Sequence, residues 1–159
     1  MIKRLLIFLI IIIILGVLSV FYPYLTGEKT IKPVEYERET IFVERVIDGD
    51  TLVDSNGTVY RLLGINTPEK GEEDYQEAKD FLMLVEDKEV EILRDWDDLG
   101  KYKRKLRYIF YQNRFINLEI IEQGLGIAFM TDDLKYEDKI LIAEKFAQEN
   151  CFGVWESQC

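Results

Sequence analysis

The chain has 159 residues, a net charge of −10, two cysteines and no histidine. That length holds one soluble domain plus an appendage. The missing histidine excludes Ser-His-Asp and Cys-His catalysis and histidine-ligated zinc, so acid–base and charge-stabilising work falls to Asp, Glu, Arg, Lys and Tyr. Residues 1–39 carry five basic and four acidic side chains, which leaves about −11 for the remainder. A nucleic-acid ligand would need a local cationic site or a bridging metal, not a broadly basic surface.

Lys3 and Arg4 precede an uncharged, almost wholly apolar run from Leu5 to Tyr22. As a helix that run rises about 27 Å, close to the hydrocarbon thickness of a bilayer. The two cations bias residues 1–4 to the cytoplasm, with 5–22 as a single-pass transmembrane signal anchor in the cell membrane and the rest of the chain outside. The alternative is a secreted protein, released by signal-peptide cleavage near Val17-Leu18-Ser19. Residues 23–39 have scattered charge, breakers at Gly27 and Pro33 and no period, and read as a linker. The folded domain is expected over 40–159.

Ile41 to Ile47 is a strand by β-branched content. Thr51–Val53 and Thr58–Ile65 follow, joined across Asn56-Gly57, the favoured two-residue hairpin turn. From Glu72 to Glu86, Tyr75, Ala78, Leu82 and Val85 recur at helical spacing. Glu89–Arg94 and Arg104–Tyr111 alternate as strands, and the stretch from Asp95 to Gly100 between them reads as a solvated loop. Asn117 is placed to cap a short helix that stops at Gly124. A last helix runs from Glu137 to Glu149. Five short strands with about three helices predict a mainly β (α+β) domain, a five-stranded OB-fold barrel. Cys151 and Cys159 close a short disulfide loop if the domain lies in an oxidising compartment, and are otherwise two thiols.

Two segments carry the chemistry. Asp48-Gly49-Asp50-Thr51 sets two carboxylates around a glycine, and Arg61 to Glu69 ends an apolar run with Asn66, Thr67, Pro68 and Glu69. A hairpin between them brings the start of one strand beside the end of its neighbour, so Asp48, Asp50, Asn66, Thr67 and Glu69 can converge. Such oxygen donors suit a hard divalent cation. Arg61 lies on the same hairpin, and Lys101 to Arg107 is a basic run.

These pieces, Val46 to Thr51, Tyr60 to Glu69, Lys101 to Tyr108 and, more weakly, Asn117 to Leu125, resemble the staphylococcal nuclease (thermonuclease-like) family in order and spacing. The resemblance covers about residues 41–156. It implies an OB-fold barrel and calcium-dependent cleavage of phosphodiester bonds in DNA and RNA, leaving 3′-phosphates; the expected substrate is single-stranded or unwound nucleic acid and the expected state a monomer. It implies catalytic roles for Arg61, Glu69 and Arg104. One Ca²⁺ would be held by Asp50, Asn66 and the Thr67 carbonyl, with Asp48 in the outer shell. Tyr102 would hold a terminal phosphate, with Lys101 beside it in substrate binding. Asn66 stands where the best-studied member has Asp, and Lys103 and Lys105 replace glycines around Arg104. The competing readings are a non-catalytic OB-fold module that binds nucleic acid or a protein partner, and a structural envelope protein.

Overall fold

The computed structural model describes residues 10–18, 37–95, 100–130 and 134–159. The chain divides into two units, 1–35 and 36–159. In the first, residues 10–18 form a helix, α1, whose isoleucine, leucine and valine side chains are all exposed. Among the described residues no helix is long and apolar enough to cross a membrane. The outer parts of the expected 5–22 span, residues 5–9 and 19–22, lie outside the described residues, as does most of the expected linker.

The second unit is built on β1 (Glu39–Asp48), β2 (Thr51–Asp54), β3 (Val59–Leu62), β5 (Glu89–Leu93) and β6 (Lys105–Tyr111). β1 serves two neighbours. Its first half pairs antiparallel with β5, from Glu39↔Ile92 to Phe42↔Glu89, and its second half pairs with β2 through two register shifts. Such shifts bend and twist a strand. Here they let one strand belong to both walls. β2 pairs with β3, β5 with β6, and the parallel pairing of β3 with β6 closes the ring. The result is the expected five-stranded closed barrel. Short strands β4 (Ile65–Asn66) and β8 (Ile127–Ala128) pair with each other, and β7 (Arg114–Phe115) folds back antiparallel on the end of β6.

Helices α2 (Tyr75–Leu82), α3 (Ile116–Glu122) and α4 (Glu137–Glu149) cover the barrel. They bury Ala78, Leu82, Ile116, Ile120, Ile121, Ile140 and Ala143 in one core with Leu52, Leu62, Ile65, Ile92 and Ile109. Each large aliphatic side chain taken fully out of water contributes about 1.5–3 kcal/mol. Cys151 and Cys159 are bonded through their sulfurs, with Cα atoms 6.0 Å apart, which ties off the C-terminal turn Gly153–Gln158.

Several expectations are corrected. The β2–β3 connection holds four residues, Ser55 to Thr58, not two, and Asp54 N–H donates to the Thr58 carbonyl across it (3.1 Å). The Asp54 carboxylate fixes this loop by accepting from the backbone N–H groups of Asn56 and Thr58, both at 2.8 Å. The expected strand 58–65 breaks at a Leu63–Gly64 turn. Helix α2 starts three residues later than the pattern implied, and Glu72 is left in the preceding loop. Asn117 does not cap α3. It lies inside the helix, fully buried, and accepts from Ile109 N–H (2.8 Å) while donating to the carbonyls of Leu63 (2.9 Å) and Arg107 (3.3 Å). An Asn in a turn of helix is legible as a cap, but a buried amide joining β6 to the Leu63–Gly64 turn is a tertiary fact. Asp95 is not solvated either. It is 5% exposed and accepts from Tyr108 Oη and Lys135 N–H, both at 2.7 Å. Residues 96–99 of that loop lie outside the described residues.

Candidate active site

Four short segments supply the site: the β1–β2 turn, β3, the stretch from β4 to Glu69, and the entry to β6. The first is held by a glycine for which no other residue fits. A Cβ on Gly49 would lie 2.7 Å from both Ala78 Cβ and Thr67 Oγ1. The turn is thus pressed between α2 and the segment after β4, and that close approach brings the Asp48–Asp50 pair to Thr67. Thr67 N–H completes the contact by donating to Asp50 Oδ2 (3.2 Å).

The hairpin does the rest. Thr51 is opposite Arg61, and Leu62 N–H donates to the Asp50 carbonyl (2.8 Å). Arg61 therefore emerges beside Asp50, and the two form an ion pair between Nη1 and Oδ2. The other arm of the same guanidinium, Nη2, donates to Asn66 Oδ1 (2.7 Å). One cationic group is thus shared by Asp50 and Asn66. Asp50 is only 6% exposed, and its Oδ1 accepts from Thr51 Oγ1 (2.9 Å). The Thr67 carbonyl is beside the same amide, accepting from Asn66 Nδ2 (3.4 Å).

Asp48 is half-buried and accepts from Asp50 N–H at 3.2 Å. Its carboxyl is pushed above the usual range, first by burial and then by the negative charge of Asp50, with Glu69 adding to it. The Glu69 carboxylate therefore lies near enough to the Asp-Gly-Asp turn to be felt there, although Glu69 itself is exposed.

The parallel pairing of β3 with β6 sets Arg61 opposite Leu106 and Tyr60 opposite Lys105. Arg104 precedes Leu106 by two residues and its backbone is extended (φ −73°, ψ 135°). Side chains two apart on extended backbone share a face, so Arg104 falls on the Arg61 face, offset by about 7 Å along the strand. Lys105 falls on the opposite face, with its Nζ 5.9 Å from the Tyr60 ring centre. Arg104 is half-buried, and its guanidinium carbon is 5.8 Å from the ring centre of Tyr102, which is 88% exposed. Tyr102 and Lys103 both have left-handed backbone (φ 64° and 61°), unusual for side chains of that size. The Lys101 side chain lies outside the described residues.

The donor set fits a hard cation by its chemistry: one carboxylate, one amide oxygen and one backbone carbonyl, gathered so closely that two of them reach a single guanidinium. It is lean in charge. Among the described residues no three acidic, histidine or cysteine side chains form a metal-holding group. The sequence did not single out Glu72, whose carboxylate accepts from Glu69 N–H (2.6 Å). Its signal was a carboxylate three residues past Glu69, hidden because the helical pattern claimed it.

A family model described as "Staphylococcal nuclease homologue" matches residues 59–157. The thermonuclease of Staphylococcus intermedius is 27% identical over 160 residues, covering 92% of this chain and 95% of that protein. An uncharacterized endonuclease of Haemophilus influenzae is 33% identical over 124 residues, covering 75% of this chain and 67% of its own length.

Proposed function

The chain belongs to the staphylococcal nuclease family and is a nuclease, and from that premise we propose that it hydrolyses DNA or RNA with one calcium ion and leaves 3′-phosphate ends. The observation that carries the site is the Arg61 fork, which binds Asp50 and Asn66 at once. It gathers in one place residues that the sequence scatters over two strands and a loop.

A phosphodiester is anionic and repels hydroxide, so cleavage needs neutralised charge, an activated water and donors aimed at the charge that develops. Asp50, Asn66 and the Thr67 carbonyl would hold the calcium, with Asp48 outside them. When bound, the ion polarises a phosphate oxygen as a Lewis acid. Asn66 contributes no formal charge, so calcium binds less tightly than at a site with a second carboxylate. Glu69 is the general base on the attacking water. Arg61 and Arg104, on one face of the β3–β6 pair, donate to the phosphate oxygens, a task to which the planar guanidinium fork is suited. Phosphate then competes with Asp50 and Asn66 for Arg61. Tyr102, with Arg104 beside it, takes a terminal phosphate, and Lys101 adds a cation nearby.

The apolar α1 helix and the cations Lys3 and Arg4 support a tether in the cell membrane, with a monomeric domain on the outer side acting on single-stranded or unwound nucleic acid. The disulfide between Cys151 and Cys159 is consistent with that oxidising location. The test is to incubate the full chain with single-stranded DNA, with calcium and with chelator. Cleavage to 3′-phosphate ends with calcium alone is expected. A gel shift without cleavage would instead mark a binding module on the same barrel.

A further inference from the structure

The loop between β4 and α2 contains a small closed device. Glu69 to Glu72 is a turn in which Glu72 N–H donates to the Glu69 carbonyl at 2.9 Å. Gly71, its third residue, has φ 98°, in the region that turns with a left-handed third position reserve for glycine. The Glu72 side chain then reaches back, and its Oε2 accepts from Glu69 N–H at 2.6 Å. Glu72 thus holds both backbone polar groups of Glu69, and its side-chain arm is the one by which the acidic residue of a capping box reaches back three residues.

Glu69 has no comparable restraint from burial, because it is exposed. Pro68 fixes its own φ and biases the residue before it, but leaves the Glu69 backbone unrestrained. A base that must meet a water within hydrogen-bond reach is sensitive to displacements of about 1 Å. We propose that Glu72 is a positioning residue for Glu69. Its carboxylate fixes the backbone from which the Glu69 side chain departs. This rests on the nuclease reading, in which Glu69 is the base.

Glu72 makes no contact with the ion or the phosphate in this account. Its removal therefore lowers kcat and leaves KM alone. Glu72→Ala is expected to lower kcat about tenfold, within the range that misplacement of a catalytic group covers. Glu72→Gln keeps an oxygen acceptor and restores most of the rate. Hydrogen exchange at the Glu69 amide reads the clamp without turnover. It should be protected in the wild-type chain, fast in Glu72→Ala and protected again in Glu72→Gln. Unchanged kcat in Glu72→Ala, an effect confined to KM, or failure of Glu72→Gln to recover would overturn the proposal. A wild-type chain that does not cleave would sink the nuclease reading itself, and this role with it.

Discussion

In the proposed mechanism Arg61 serves stability and chemistry together. Its guanidinium neutralises an Asp50 that is 6% exposed, and the arginine side chain is itself only 14% exposed. Removing one partner of a buried ion pair leaves a charge with no compensation. Arg61→Ala should therefore lose about 3 kcal/mol of folding stability as well as activity, seen as a lower urea midpoint at unchanged slope. An unchanged midpoint would mean that Asp50 is hydrated, contrary to its burial. The pairing was half legible. The Asp-Gly-Asp and Arg-to-Glu segments announce themselves because their residues are close in sequence and separated by a hairpin. That Arg61 would divide its fork between Asp50 and Asn66 was not, since it depends on the Leu63–Gly64 turn returning Asn66 toward β3.

At the scale of the element, the β2–β3 hairpin decides where the site forms, and Asp54 decides the hairpin. Burial disfavours its ionised form, but hydrogen bonds from Thr58 and Asn56 N–H and from Tyr60 Oη outweigh this and hold its pKa below the usual carboxylate range. Tyr60 is pushed up to about 12, first by burial and then by its bond to Asp54. The signs differ. The Asp54 contribution is present above the ordinary carboxylate pKa and is lost as pH falls through its lowered value. The Tyr60 contribution is whole below about 10, the ordinary tyrosine pKa, and is lost as pH rises through about 12. Urea midpoints measured across pH should fall at both ends, and Tyr60→Phe should flatten the alkaline limb associated with that residue. Asn117 carries a second element-scale expectation. With its three partners buried, Asn117→Ala should cost about 3 kcal/mol, read from the same midpoints. A loss below about 1 kcal/mol would show that water replaces the amide. Here the strands were legible from alternation. Asn117 and Asp95 were not, because each is defined by partners on other elements: Asn117 by Ile109, Leu63 and Arg107, Asp95 by Tyr108 and Lys135.

For the whole molecule, the charge balance of −10 is acidic, so in the proposed function contact with an anionic substrate falls to a few local cations such as Arg61 and Arg104 and not to a broadly basic surface. The disulfide closes a loop with a sequence separation of 8. Loop-closure entropy gives such a link about 2.5 kcal/mol at most. Reduction should lower the melting temperature by several degrees and leave cleavage rates intact at 25 °C. Loss of activity on reduction would place the C-terminal turn inside the site. The barrel itself followed from strand count and spacing. Its closure by the parallel β3–β6 pairing, which sets Arg61 and Arg104 on one face, belongs to topology and not to any local pattern. The sharpest test of that convergence is the single-turnover cleavage rate of Glu69→Gln on single-stranded DNA with calcium, beside the wild-type chain. A fall of about 10²–10³ is expected, with DNA binding and the urea midpoint unchanged. Cleavage at the wild-type rate would contradict it.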